Sequence, residues 1–373
     1  MSDVTRRQFI KNLSVATAVT TPLFAAPALS LGSKKFEGET LRVFTYAGAW
    51  GDMFTNFFGP KFKERTGADV SFDLGWWDAI PKLKATPPGN PPYDLVMTDA
   101  TQGYPAIKSG LFEPVNFANM PNMKNFDPKM LDNWVVKENW GVTWPDALVT
   151  GAYNTNYVKD APTRWSDLLK PEFDGKLGLY NSFYMSLYTF ACMKVDSEGR
   201  AGEASKELAE NLDGVLAFAK DQAKRVGVWW QSASDMAFNL IEGNVTAGNI
   251  HSVGIYAPIK DGQPVQAFVP LEDRAYVQLF WVVPKNTKKK AMAEAAIDFF
   301  CSEEFQTDYA KNAGFMTPIQ SVAQSMTKVD PLYGVVNPST DADFEQLGYF
   351  PYDTYVKNWD KIAKFWDQEV LRA

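Results

Sequence analysis

Along residues 38–373, short apolar runs alternate with amphipathic stretches, the rhythm of an α/β fold built on mostly parallel sheets flanked by helices. Leu41–Tyr46 is predicted as a strand. Gly48-Ala49-Trp50-Gly51 turns out of it into a helix with Phe54, Phe57, Phe58 and Phe62 at helical spacing, Pro60 as a candidate break and Gly67 as a left-handed stop. Asp69–Leu74 and Tyr93–Thr98 follow as strands, the second apolar in its middle as a buried parallel strand should be. Val142–Asn154 reads as a long extended segment interrupted by Pro145 and Gly151. Thr163–Leu169 starts a short helix that Pro171 and Gly175 end, and Lys176–Tyr180 is a strand. Gly202–Arg225 is predicted as one helix, with Leu208, Leu212, Val215, Leu216 and Ala219 on its buried face. Val245–Ile250, Val265–Val269 and Gln278–Val283 are further strands, Ala291–Asn312 a helix stopping at Gly314, and Tyr355, Trp359, Ile362 and Trp366 mark a last amphipathic helix.

No internal repeat or low-complexity linker separates these elements, so the expected fold is two α/β lobes joined by strands that cross between them. The predicted lobes are 38–148 plus 279–322, and 149–278 plus 323–373. Residues 1–28 stand apart. Thr5-Arg6-Arg7-Gln8-Phe9-Ile10-Lys11 has a twin-arginine pattern, a moderately apolar stretch runs from Leu13 to Leu23, and Ala26-Pro27-Ala28 offers a small-x-small cleavage site. These features predict a removed export signal and a periplasmic mature protein. No later stretch approaches the ~20 apolar residues of a membrane span.

Composition narrows the chemistry. Thirty-seven Lys and Arg against 44 Asp and Glu give a net charge of −7, which argues against nucleic acid or an anionic membrane surface as partner. The single histidine, His251, and two cysteines, Cys192 and Cys301, leave no His-rich or Cys-only metal site. Nucleophile-elbow, Gly-rich phosphate-loop and His-Glu-x-x-His patterns are missing, so neither an enzyme nor a cofactor is expected.

Aromatic residues at predicted strand ends carry more information. Trp50 lies in the first strand–helix turn, Trp76-Trp77-Asp78 directly after the second strand, Tyr180-Asn181-Ser182-Phe183-Tyr184 after a later one, and Trp229-Trp230-Gln231-Ser232 after the long helix. In open α/β sheets a ligand lies beyond the carboxyl ends of the strands, where these turns converge. The rings suit an organic cation through cation–π attraction, with Asp78, Asp99 or Asp146 nearby, and they equally suit stacking on a sugar-like face. Asp99 is read as a ligand contact or as an N-cap, and Asp146 as a cleft or turn residue. Candidate lining residues are Trp50, Trp76 or Trp77, Asp99, Thr101, Asp146, Tyr180, Asn181, Ser182, Trp229 or Trp230, His251, Tyr276 and Gln278.

Several segments, in their order and spacing, resemble the extracytoplasmic solute-binding proteins of ABC importers, in particular the spermidine/putrescine-binding branch. They are Leu41-Arg42-Val43-Phe44-Thr45-Tyr46-Ala47-Gly48; Tyr93-Asp94-Leu95-Val96 with Gly110-Leu111-Phe112-Glu113-Pro114-Val115; Trp165 to Lys176; Phe268-Val269-Pro270-Leu271-Glu272; Val283-Pro284-Lys285-Asn286; and Gly314-Phe315-Met316-Thr317-Pro318. The resemblance implies a two-lobed fold that closes on a ligand in its cleft and delivers it to membrane permease subunits.

The resemblance also marks a departure. Polyamine binders of this branch hold ammonium groups with acids at several strand tips. Here the corresponding stretches read Tyr46-Ala47-Gly48-Ala49, Tyr180-Asn181-Ser182-Phe183-Tyr184-Met185 and Val277-Gln278-Leu279, with His251 where an aromatic is expected. The expected ligand is thus a small polar nitrogen-containing metabolite of at most one or two charges, bound by a monomer. A polyamine, a sugar- or opine-like ligand, and a sensor role feeding a signalling receptor are the alternatives.

Overall fold

The computed structural model describes residues 34–87, 89–348 and 350–373, and the export signal predicted at 1–28 lies outside the described residues. Residues 35–373 form one unit. Its strands are β1 (Thr40–Tyr46), β2 (Asp69–Gly75), β3 (Leu95–Asp99), β4 (Phe112–Glu113), β5 (Gly141–Asn154), β6 (Leu177–Tyr180), β7 (Val226–Trp230), β8 (Ala247–His251), β9 (Val265–Phe268), β10 (Arg274–Pro284) and β11 (Leu347–Gly348). The main path through the sheet runs β2-β1-β3-β10-β5-β8-β6-β7.

β1 pairs in parallel with β2 and β3, and β6 pairs in parallel with β7 and β8. The two long strands β5 and β10 run antiparallel to each other, and also to β8 and β3. They are the crossovers that join the two lobes. A strand that passes from one lobe to the other needs no covering helix to reverse direction, so antiparallel pairing is confined to them and to the short edge strands β4 and β9.

β5 changes partner along its length. Val142, Thr143 and Trp144 face Trp281, Phe280 and Leu279 of β10, while Val149 to Tyr153 face His251 to Ala247 of β8. Between them Pro145 faces Gln278 and Leu148 faces Tyr276, so Asp146 and Ala147 together oppose the single residue Val277. The interruption expected at Pro145 is therefore a bulge inside an unbroken strand. A proline with no N–H is tolerated where the ladder is already irregular, and a bulge re-aims the side chains it carries. Gly151 does not interrupt the strand either. A Cβ there would lie 2.0 Å from the Phe268 ring, which covers the position.

Two helices predicted as continuous are each broken once. Gly202–Arg225 is Ala204–Glu210 and Leu212–Ala223, because the Asn211 side chain accepts from the Gly214 N–H at 3.3 Å and caps the second. Ala291–Asn312 is Lys290–Phe300 and Glu303–Ala313, with Ser302 Oγ accepting from the Phe305 N–H at 3.2 Å. The first helix takes three forms: Ala49–Met53, a π-helical turn Phe54–Phe58, and Gly59–Thr66 with Pro60 in its opening turn, where a missing donor matters least. Gly67 and Gly314 stop their helices in the left-handed region, as read from the sequence, at φ 80° and 68°. The last predicted helix is Tyr352–Lys357, Trp359–Phe365 and a π-helical turn Trp366–Val370. β7 and the buried helix Phe183–Ser197 were not anticipated, since their sequences are apolar on every side.

Much of the aromatic content serves the core. Phe54, Phe58, Trp144, Trp281, Phe300 and Phe305 are buried together, with ring centroids 4.4 to 6.4 Å apart. Such pairs contribute ~0.5–1.5 kcal/mol each beyond the burial of their area. This packing fixes β5 and β10 against the helices of the first lobe.

Candidate functional site

The parallel strands of both lobes end in one neighbourhood. β1, β2 and β3 finish at Tyr46, Gly75 and Asp99, and β6, β7 and β8 at Tyr180, Trp230 and His251. The bulge of β5 places Asp146 between the two sets: β10 pairs Leu279 with both Asp99 and Trp144, and Val149 of β5 faces His251.

From the first lobe, Trp76 stacks on Tyr46 (5.3 Å, 16° between planes) and meets Trp50 edge-on at 5.7 Å. Trp76 and Trp77 are 57% and 45% exposed, and Trp77 has a left-handed backbone at φ 59°. Asp78 pairs with Lys82 at 2.7 Å. Asp99 is the N-cap of the helix Ala100–Lys108. Its Oδ1 accepts from the Thr101 and Gln102 N–H groups at 2.8 and 3.0 Å and from the Thr101 hydroxyl, and its Oδ2 accepts from the Tyr46 hydroxyl at 3.0 Å. Both oxygens are fully engaged, so Asp99 and Thr101 hold the strand tip in shape.

Asp146 is buried; unlike Asp99 it leaves an oxygen without a partner, and unlike Asp78, whose Oδ1 is also unpartnered, it has no ion-pair partner among the described residues. Its Oδ2 accepts from the Trp50 indole N–H at 2.9 Å, but Oδ1 has no partner. Burial pushes its pKa up to about 8, against the smaller opposing pulls of the Trp50 bond and of the backbone N–H groups of Ala147 and of Asp146 itself. Two further sealed atoms lack partners nearby: the Tyr184 hydroxyl, which feels the charges of Asp99 and Asp146, and His251 Nε2. His251 is half-buried as a residue, yet desolvation of its ring pulls its pKa down to about 4, so it is neutral near neutral pH. Tyr180 lies 6.2 Å from His251 and 4.6 Å from Trp230, ring to ring.

The second lobe's tips are held by one amide. Asn249 Oδ1 accepts from the Tyr180 N–H (3.0 Å) and the Trp230 indole (3.2 Å), while its Nδ2 donates to Ser186 and Thr189. Trp230 is fully buried and backs Tyr180 and His251. Trp229, next in the strand, points the other way and packs on Phe190 and Trp366, because consecutive strand residues face opposite sides. Asn181 turns its carbonyl to the Trp366 indole (2.7 Å), and Ser182 precedes the helix Phe183–Ser197 without capping it through its side chain. Tyr276 and Gln278 are buried and bonded to each other, Gln278 Nε2 donating to the Tyr276 hydroxyl at 2.9 Å.

The structure therefore brings Trp50, Trp76, Asp99, Thr101, Asp146, Tyr180, Trp230 and His251 to one place and draws Trp229 away from it. The candidate lining residues did not include Tyr46, Tyr184 or Phe315, although Tyr184 lies in one of the aromatic turns singled out above. Tyr46 ends a predicted strand, which was signal enough; Tyr184 sits on the unanticipated helix. Phe315 stacks on Tyr309 at 4.4 Å and meets Trp50 at 5.6 Å, and the next residue, Met316, donates its N–H to the Asp146 carbonyl. Among the described residues no group of three or more His, Cys, Asp and Glu could hold a metal ion, and Cys192 and Cys301 are free and buried.

Residues 60–333 match the family of bacterial extracellular solute-binding proteins, and the chain belongs to that family. It is 23% identical over 309 residues to the spermidine/putrescine-binding periplasmic protein of Escherichia coli (strain K12), spanning 79% of this chain and 83% of that one. It is 26% identical over 278 residues to the gamma-aminobutyric acid-binding protein of Pseudomonas aeruginosa, spanning 74% and 76%. Among solved structures, the Atu4243-GABA receptor superposes with a TM-score of 0.73 at 19% identity, covering 90% of this chain and 98% of that one, which shows the shared two-lobed fold. No helix among the described residues is long and apolar enough to cross a membrane.

Proposed function

We propose that this solute-binding component of an ABC importer captures a small, polar, nitrogen-containing solute at the meeting point of the six parallel strand ends and hands it to permease subunits. In this reading the lobes 38–148 plus 279–322 and 149–278 plus 323–373 close on the solute, which bridges them. The observation that carries it is the set of sealed polar atoms without partners, Asp146 Oδ1, Tyr184 OH and His251 Nε2, gathered beside Trp50 and Tyr180. Buried polar groups are costly unless hydrogen-bonded, so several in one place favour a polar guest. The named ligands of the relatives, spermidine, putrescine and gamma-aminobutyric acid, all contain an amine. The protein works as an exported monomer in the periplasm, sent there by the twin-arginine signal at 1–28, and it catalyses nothing.

A thermal-shift and tryptophan-fluorescence screen of the mature chain against amines, amino acids, sugars and opines tests this, because a ligand in excess stabilises the native state by mass action. An amine-containing solute should raise the melting temperature, and Trp50→Ala and Tyr180→Ala should abolish the shift. A shift given only by sugars, or unchanged in both variants, rejects the reading.

A further inference from the structure

We propose, building on that reading, that Asp146 is the cleft's single counterion and that the ligand is a monocationic amine without a carboxylate, its ammonium seated against Asp146 Oδ1 with the Tyr184 hydroxyl beside it. Three acids stand near the strand tips. Asp78 is engaged by Lys82, and Asp99 by the Tyr46 hydroxyl and three donors of its own helix. Asp78 Oδ1 and Asp146 Oδ1 are both buried without a hydrogen-bond partner, but the Asp78 carboxylate is already neutralised by Lys82 on its other oxygen, so among these three acids only Asp146 combines an unpartnered oxygen with no ion-pair partner among the described residues. A diammonium ligand would leave its second charge unpaired, which a water-poor site does not tolerate. A zwitterion meets the same objection from the other side. Among the described residues no lysine or arginine figures among the main influences on Asp146, Tyr184 or His251, so a ligand carboxylate seated there would lack a positive partner.

The remaining groups suit such a ligand. The rings of Trp50, Trp76 and Tyr46 pack on one another, with Trp50 bonded to Asp146, and this aromatic cluster can offer π density to an ammonium. Neutral His251 and the Tyr180 hydroxyl can meet an uncharged hydroxyl or amide at the far end.

Binding would then move a proton. Burial lifts the Asp146 carboxyl to about 8, so near neutral pH it is mostly protonated before the ligand enters. The groups facing it leave it alone in titrating there. The helix Ala49–Met53 presents the Trp50 N–H, the helix Phe183–Ser197 the Tyr184 hydroxyl, and the helix Glu303–Ala313 the Tyr309 hydroxyl; both phenols are pushed well above their ordinary range by burial. The segment after Gly314 offers only backbone and the Phe315 ring, and Asp99 acts on Asp146's neighbour Tyr184. When the ammonium arrives, the carboxyl O–H breaks, the proton leaves to solvent, and the carboxylate pairs with the cation.

The test is isothermal titration of the mature chain with four solutes of one chain length: butylamine, 4-aminobutanol, putrescine and gamma-aminobutyric acid. We expect 4-aminobutanol to bind most tightly. Comparing buffers of different ionisation heat should count about one proton released at neutral pH, with affinity rising about tenfold per pH unit towards pH ~8 and flat above it. Asp146→Asn, which keeps size and the Trp50 bond, should weaken amine binding on the order of 100-fold and remove the proton release. Tighter binding of putrescine or gamma-aminobutyric acid, release of no proton, or unchanged amine affinity in Asp146→Asn each overturns the proposal while leaving a solute-binding protein. Failure to bind any solute of the wider screen rejects the underlying reading as well.

Discussion

The Trp50 indole N–H donates to Asp146 Oδ2 at 2.9 Å, tying the turn after β1 to the bulge of β5. Among the described residues it is the one side-chain hydrogen bond on this carboxyl, whose other oxygen is sealed and unpartnered. Trp50→Phe keeps a ring against Phe315 and Trp76 and removes the donor. Losing a donor to a buried acid costs about 1–3 kcal/mol. Urea denaturation at neutral pH should show a fall of that size with an unchanged denaturant slope. A stability equal to the wild type would mean that the bond contributes nothing in solution.

Asn249 makes a sharper case, because four groups depend on it. Asn249→Ala strands the Tyr180 N–H and the Trp230 indole and leaves Ser186 and Thr189 without their donor, all in the interior of the second lobe. Each buried group left unpaired costs ~1–3 kcal/mol, and the deleted volume adds to it. We expect a loss on the order of 4 kcal/mol, a melting temperature lowered by several degrees, and weaker ligand binding because Tyr180 loses its anchor. Asn249→Asp keeps the acceptor for Tyr180 and Trp230 and should retain more of the binding than alanine does.

What the sequence made legible follows from what local chemistry controls. Strands with apolar centres, and the glycine stops at Gly67 and Gly314, were read correctly because they depend on a few neighbouring residues. The breaks at Asn211 and Ser302 were missed. Apolar periodicity runs through both, and only the capping side chains, each a single polar residue in a helical rhythm, mark them. The site was legible as a list of strand tips. Which tip faces which was not, because the choice between Trp229 and Trp230 rests on a one-residue register within a strand that was not foreseen. The special position of Asp146 was hidden for the same kind of reason. It arises from a bulge between two strands more than a hundred residues apart in the chain.

Gly151 tests the packing that carries β5 into the second lobe. The Phe268 ring occupies the place of the missing side chain, and it is itself held edge-on against Trp165 at 5.6 Å. Gly151→Ala must displace that ring, at a cost of about 1–3 kcal/mol for overpacking. Near-ultraviolet circular dichroism should change with it, through Trp165. An alanine variant as stable as the wild type, with unchanged spectra, would show that Phe268 has room to move.

Two buried groups give the ligand-free protein opposed responses to pH. His251 is held near pKa 4 by desolvation, whereas in the unfolded chain it titrates near its ordinary value of about 6.5. The unfolded state therefore binds the extra proton between those limits, and this term lowers stability as pH falls from ~6.5 to ~4. Asp146 works the other way. Its native pKa of about 8 lies above the ordinary 3.8, so the native state holds a proton that the unfolded state has lost, and stability falls as pH rises from ~4 to ~8. Between ~4 and ~6.5 the two terms, one proton each, cancel; above ~6.5 only Asp146 remains, with a slope of up to ~1.4 kcal/mol per pH unit. Measured as the difference from wild type, so that other carboxyls drop out, Asp146→Asn should gain stability progressively from acid to pH ~8. His251→Gln should gain it only below pH ~6.5. An Asp146→Asn difference that stays constant with pH would mean that Asp146 is ionised throughout, and a His251→Gln difference that stays constant would mean that the imidazole is open to water.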